Sequence, residues 1–222
     1  LAEFYFDFHD IPGLTLTNGC MAASGSLVRW FAAEFGGGRS LAELDAEAAA
    51  TPVGSGGIVT LPYALGEKTP IFDLEARAVF AGVMLHHTRG HLYRSVLEAV
   101  SYGFAHHVDL LRAHGRPVRR ILAADGGSRS ALWMQMTADV LGEPLQVVTG
   151  TAASALGVAF VAGMSVGLFR DWNEIERFAV RGPRYEPDAV AHQRYASGYA
   201  IYRDLYLRLR TLFPELRKLE GV

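Results

Sequence analysis

Asp125, Gly126 and Gly127, followed by Ser128 and Ser130, are the residues of this sequence whose types and spacing can do chemistry. The run 121–124 before them is short and apolar, suited to a buried strand rather than a helix. The glycines end it and let a phosphate or a ribose approach the backbone. Ser128 or Ser130 can then cap a helix whose apolar face is Leu132, Trp133, Met136 and Val140. A helix N-terminus behind a glycine pair presents free N–H groups and a positive dipole end, which favours an anion. Asp125 can touch such a ligand or a magnesium-bound water. A plain strand-to-helix turn uses the same residue types, and the residues alone leave both readings open. Gly25, between Ser24 and Ser26, marks a second turn of this kind.

Other candidate groups are less complete. His86, His87, His91, His106 and His107 cluster in sequence, and His87 and His91 are spaced to share one helix face. No third ligand accompanies them at a motif's spacing, so no metal site is assigned. Asp139 falls inside a helical stretch and reads as structural. The chain has no Walker lysine loop, no Gly-x-Ser-x-Gly elbow and no paired Cys-x-x-Cys. What remains is an anion-binding half without a base or a nucleophile.

The elements that position these residues alternate along the chain. Residues 4–8 alternate aromatic and polar, as a half-buried strand does, and 14–22 form a second strand paired with it. Leu27, Trp30, Phe31 and Phe35 have helical spacing, with Gly36 to Gly38 as the stop. Residues 40–50 form a short helix capped by Ser40, with Glu43 three positions on. A Pro/Gly/Ser loop at 51–57 leads to a strand over 58–65. Residues 66–77 are polar and aperiodic, with most of their charges on a solvated surface. Residues 87–114 form the longest helix, with its stripe at Leu92, Val96, Leu97, Val100, Phe104, Val108 and Leu111. A strand at 145–148, a small-residue turn at 149–154 and an apolar helix at 155–167 follow. That helix is shorter than the roughly 20 residues of a membrane span. An irregular connection at 169–187 precedes a final amphipathic helix at 188–213. The pattern is α/β, with a mixed sheet and helices on both faces.

The chain has 222 residues, of which 50% are hydrophobic and 20% charged, with a formal net charge of −2. That balance gives no footprint for nucleic acid or an anionic membrane. The single cysteine, Cys20, fits a reducing compartment, and no N-terminal signal is visible, so a cytoplasmic protein is expected. The chain begins at Leu1 rather than Met, as a piece of a longer polypeptide would.

Several stretches resemble the FGGY carbohydrate kinases. Leu-Pro-Tyr-Ala-Leu-Gly-Glu-Lys-Thr-Pro-Ile-Phe-Asp at 61–73, with Ala76-Arg77 after it, is similar to a loop of that family. Ala78-x-Phe80-x-Gly82-Val83, then His91-Leu92-x-x-Ser95-Val96-Leu97-Glu98, fits its C-terminal signature. Residues 126–144 resemble its adenosine-binding segment, Ala155-Leu156-Gly157 the start of its next helix, and 25–31 an earlier helix.

The resemblance implies an actin-like ATPase fold, of ribonuclease H-like type, with ATP and a sugar held in a cleft between two domains. It implies transfer of the γ-phosphoryl of MgATP to a hydroxyl of a sugar or polyol. The chain is most like the xylulokinase branch, which makes a ketopentose such as xylulose the implied acceptor. By position, Gly126 and Gly127 would lie against the α-phosphate and ribose, with Ser130 near the adenine. Gly25 and Arg29 would line the pocket from the other side. The family's catalytic aspartate and its Gly-Thr phosphate loop match nothing here, so residues 1–222 read as the C-terminal nucleotide-binding domain, with the N-terminal domain as partner. Many members have Gly where Asp125 stands, Glu where Ala152 stands and Arg-Gly where Arg77 and Ala78 stand. The other class of function is a non-catalytic actin-like binding or regulatory module. Tyr199, Tyr202 and Tyr206 on the last helix read either as a homodimer surface or as a packed helix face.

Overall fold

A computed structural model describes residues 2–149 and 153–219. Strands β1 (Tyr5–Phe8) and β2 (Thr15–Asn18) form an antiparallel hairpin. Helices α1 (Gly25–Phe35) and α2 (Leu41–Ala49) follow. Strand β3 (Val59–Leu61) pairs antiparallel with β4 (Val79–Ala81). Helix α3 (Arg89–Ala113) is the long central helix, packed by α1, α2, α4, α6 and β3. Then come β5 (Ile121–Ala123), α4 (Ala131–Leu141), β6 (Leu145–Thr149), α5 (Ala153–Ser165), β7 (Val180–Tyr185), α6 (Ala189–Leu209) and α7 (Phe213–Leu219).

Strands β5, β6 and β7 make a mixed sheet in that order, β5 parallel and β7 antiparallel to β6. Helix α4 covers one face, where Leu145 and Val147 are buried. Across the other face, Leu156 of α5 helps enclose a cavity of about 600 Å³. The strand at 121–124 is therefore not buried on both sides: Leu122 faces that cavity and is half exposed.

Local signals explain most helix boundaries. Ser40 and Glu43 form a reciprocal capping box on α2. Gly142 ends α4 in the left-handed region, at φ 64. Asp188 caps α6 by accepting from the Ala191 N–H at 2.7 Å. Ser24 precedes α1 but makes no capping hydrogen bond. Residues 188–213 are not a single helix: α6 ends at Leu209, and α7 starts at Phe213 with Pro214 in its first turn. Residues 169–187 contain β7, which sequence reading misses because the strand lies at the sheet edge and carries Gly182 and Pro183. Among the described residues, no helix is long and apolar enough to cross a membrane.

The tyrosines of α6 pack inward rather than forming an exposed surface. Tyr202 is fully buried and accepts from the Tyr63 hydroxyl at 2.9 Å, while Tyr206 donates to Asp73 Oδ2 at 3.0 Å. Tyr102 meets the rings of Tyr195, Tyr199 and Tyr202.

The polar centre of the fold is Arg94–Glu98 on α3, an ion pair of 2.9 Å with both side chains buried. Glu98 also accepts from Gly54 N at 3.0 Å and from the Ser55 hydroxyl at 2.7 Å. Arg94 donates to the carbonyls of Ala48 and Thr51 and to the Tyr195 hydroxyl. Burial pushes the Glu98 carboxyl upward, and Ser55, Arg94 and the Gly54 N–H pull it partly back. Losing one partner leaves an uncompensated buried charge. Glu98→Ala should therefore cost about 3–5 kcal/mol in urea unfolding. Arg208→Ala, at the exposed Arg208–Asp204 pair, should cost about 1 kcal/mol or less.

Candidate nucleotide site

The turn from β5 to α4 is built by local geometry. Asp125 stands at φ 67, in the left-handed region that glycine adopts freely and Asp tolerates better than most side chains. Glycine fits this backbone as readily as Asp. The Ser128 hydroxyl donates to the Asp125 carbonyl at 2.7 Å, and residues 127–129 form a single 3-10 turn. Ser130 is the cap of α4, and its hydroxyl accepts from the Trp133 N–H at 3.1 Å.

The two glycines have different reasons to be glycine. A Cβ on Gly127 would lie 3.1 Å from Trp133 Cζ3, so the indole packs against this backbone. Trp133 presents that edge to the turn, which puts its buried and unpartnered Nε1 on the far side of the ring. Gly126 has φ −59 and ψ −48, open to any residue, and a Cβ there would meet nothing within 4 Å. It is also exposed. Nothing within the described chain demands a glycine at 126.

Gly25 is similar. It opens α1, and the nearest atom to a Cβ there is Nη1 of Arg29 at 3.9 Å. Without a cap from Ser24, the first-turn amides of α1 have no side-chain acceptor from that serine. The structure thus brings Gly25 and Arg29 together, and Gly126, Gly127 and Ser130 together. It shows no hydrogen bond between the two groups. Both belong to helices packed on α3: Phe31 of α1 meets Tyr93, and Thr137 of α4 lies 3.0 Å from Ser101.

Other candidates fall to structural roles. Asp139 accepts from Gln135 and from the Asp188 N–H, each at 2.8 Å, as a helix-joining residue. His87 lies before α3 rather than on it, which removes the shared helix face with His91. Its Nδ1 accepts from Met84 N at 2.9 Å, and its Nε2 is 3.2 Å from the Gly56 carbonyl. His91 Nδ1 is 2.9 Å from the Thr88 hydroxyl, closing the start of α3. No group of three possible metal ligands exists among the described residues. Glu67, expected among solvated charges, is buried and accepts from the N–H groups of Ala22 at 2.6 Å and Lys68 at 2.8 Å. Residues 150–152 of the turn at 149–154 lie outside the described residues, and with them the departure at Ala152. Replacing Asp125 tests the backbone reading: Asp125→Gly should melt within a few degrees of the parent, whereas Asp125→Val should lower the midpoint, at a cost of about 1–3 kcal/mol.

Comparison with known proteins follows the same outline. Residues 5–166 match the FGGY family of carbohydrate kinases, C-terminal domain. The crystal structure of xylulose kinase from Rhodospirillum rubrum superimposes with a TM-score of 0.85 at 42% identity, covering 95% of this chain and 43% of that one. The xylulose kinase of Lactococcus lactis subsp. lactis is 28% identical over 92% of this chain and 41% of its own length. Glycerol kinase 3 of Streptomyces avermitilis is 32% identical over 79% of this chain and 35% of its own. The chain thus spans less than half the length of the relatives it matches. It has their actin-like α/β fold. The chain belongs to the FGGY family of carbohydrate kinases, within its C-terminal domain, and is most like the xylulokinase branch.

Proposed function

We propose that this chain is the nucleotide-binding half of an ATP-dependent sugar kinase, with a ketopentose such as xylulose as acceptor. The observation that carries the reading is Gly126, a glycine that neither its backbone angles nor its neighbours require, at the mouth of a helix N-terminus. A ligand approaching the backbone supplies the missing reason. Gly25 has the same open space, beside Arg29. In this reading Gly126, Gly127 and Ser130 hold the α-phosphate, ribose and adenine side, and Gly25 and Arg29 the opposite wall. The Ser130 oxygen already caps α4, so its O–H is left to donate. The exposed Arg29 guanidinium supplies positive charge.

Phosphoryl transfer is chiefly positioning and charge stabilisation. The part assigned to this chain is to fix the nucleotide. The base that takes the sugar hydroxyl's proton is assigned to an N-terminal domain, and the short span of relatives that this chain covers supports that partner. Mg²⁺ would arrive on the nucleotide's phosphates. With no three-ligand cluster among the described residues, no residue of this chain is assigned to it. Xylulose rests on the names of the relatives, and a reducing, cytoplasmic setting on the lone Cys20.

Two expected outcomes test this. The native polypeptide should release ADP from MgATP with xylulose in a panel of pentuloses, hexuloses and polyols, and residues 1–222 alone should not. Folded native protein that binds ATP yet releases no ADP with any sugar would favour the non-catalytic module. Gly126→Val should weaken nucleotide binding about tenfold or more while leaving the melting temperature unchanged. Unchanged affinity would remove Gly126 from the site.

A further inference from the structure

The sheet face opposite α4 borders the cavity of about 600 Å³, within the roughly 300–1,000 Å³ range of small-molecule sites. Its floor is apolar, with Leu122 and Val148 from the sheet, and Leu156, Ile175 and Phe178 stand across from them. Its rim is cationic. Arg181 and Arg184 on β7 both line it, although they are three residues apart and a regular strand would turn them to opposite faces. A register shift resolves this: Gln146 pairs with Arg184, while Val148 pairs with Arg181. The extra residue sits at Gly182 and Pro183, and the Gln146 side chain clamps it by donating to their carbonyls at 2.8 and 3.2 Å. The bulge thus puts two arginines at the edge of one apolar floor.

Arg119 and Arg120 line the same cavity. The side chains of Arg119, Arg120 and Arg181 have no hydrogen-bond or ion-pair partner among the described residues, and Arg184 holds Glu186. The carboxylates that line the cavity are Glu143, already bound by Arg112, and Glu176. Positive charge without internal partners above an apolar floor matches a ligand with an anionic head and an apolar body.

We propose that this cavity binds an amphipathic carboxylate, its chain along Leu122 and Val148 and its head on Arg181. Residues 126–130 do not line the cavity, so this site stands apart from the proposed nucleotide site and does not depend on it.

The probe is decanoate, titrated calorimetrically into the native polypeptide, with decanol as its uncharged counterpart. Decanoate should bind in the presence of saturating ATP, decanol should bind at least tenfold more weakly, and Arg181→Gln should weaken decanoate at least tenfold. Arg120→Gln should weaken it as well, whereas Arg208→Gln, on a different face, should not. Arg120 and Arg181 are exposed, and unchanged melting of each variant confirms that the fold survives. Absence of decanoate binding, equal binding of decanol, displacement by ATP, or indifference to Arg181→Gln would each overturn the proposal.

Discussion

The buried pair of Arg94 and Glu98 constrains more of this structure than any other interaction. Charged groups leave water only when every donor and acceptor finds a partner. Here the partners come from separate segments: the Ala48 and Thr51 carbonyls at the end of α2, Gly54 and Ser55 in the loop before β3, and Tyr195 on α6. The pair can exist only when those segments have all docked on α3. It therefore ties the correct placement of α2, β3 and α6 to a single desolvated centre. Gly90, one turn before Arg94, allows the close approach of α2, since a Cβ there would lie 2.7 Å from the Glu47 carbonyl.

With α3 fixed in this way, both glycine turns become surface features of a rigid frame. A side chain at Gly127 would crowd Trp133, and Asp125 stands in a left-handed backbone that few side chains tolerate. Neither requirement involves a ligand. Gly126 and Gly25 differ because the folded chain asks nothing of them, and unexplained glycines are the more informative ones for binding. The Gly-Gly pair is thus two residues under two constraints.

The same distinction governs what the sequence makes legible. Long amphipathic α3, the capping box at Ser40 and Glu43, and the Ser130 cap rest on local periodicity and local hydrogen bonds, so their residues announce them. Strand β7 does not, because its pairing partner β6 lies far off in sequence and its Gly182 and Pro183 look like loop residues until the bulge is seen. The break between α6 and α7 is hidden by continuous amphipathic spacing. His87 misleads because the helix begins two residues later, at Arg89, which turns an apparent ligand pair into loop and cap bonds. The Gly126 turn was legible as a possible anion site, while the openness that separates Gly126 from Gly127 depends on Trp133 and shows only in three dimensions.

The stretch at 61–73 carries much of the resemblance to the family, yet Glu67, Thr69 and Asp73 are spent inside the protein. Glu67 holds the Ala22 N–H before α1, and the Thr69 hydroxyl sits 2.8 Å from His107 Nε2, whose Nδ1 donates to the Gly103 carbonyl. Asp73 accepts from the N–H groups of Glu75 and Ala76 and from Tyr206. Ser95 and Glu98 in the later signature are likewise committed, to Thr60 and to the Arg94 network. A buried group with its hydrogen-bonding capacity filled by its own chain has little left for a substrate. These motifs therefore identify the family because they hold the frame together. In the proposed enzyme, discrimination among sugars has to come from groups that the frame leaves unspent, and Glu67, Thr69, Asp73, Ser95 and Glu98 are not among them.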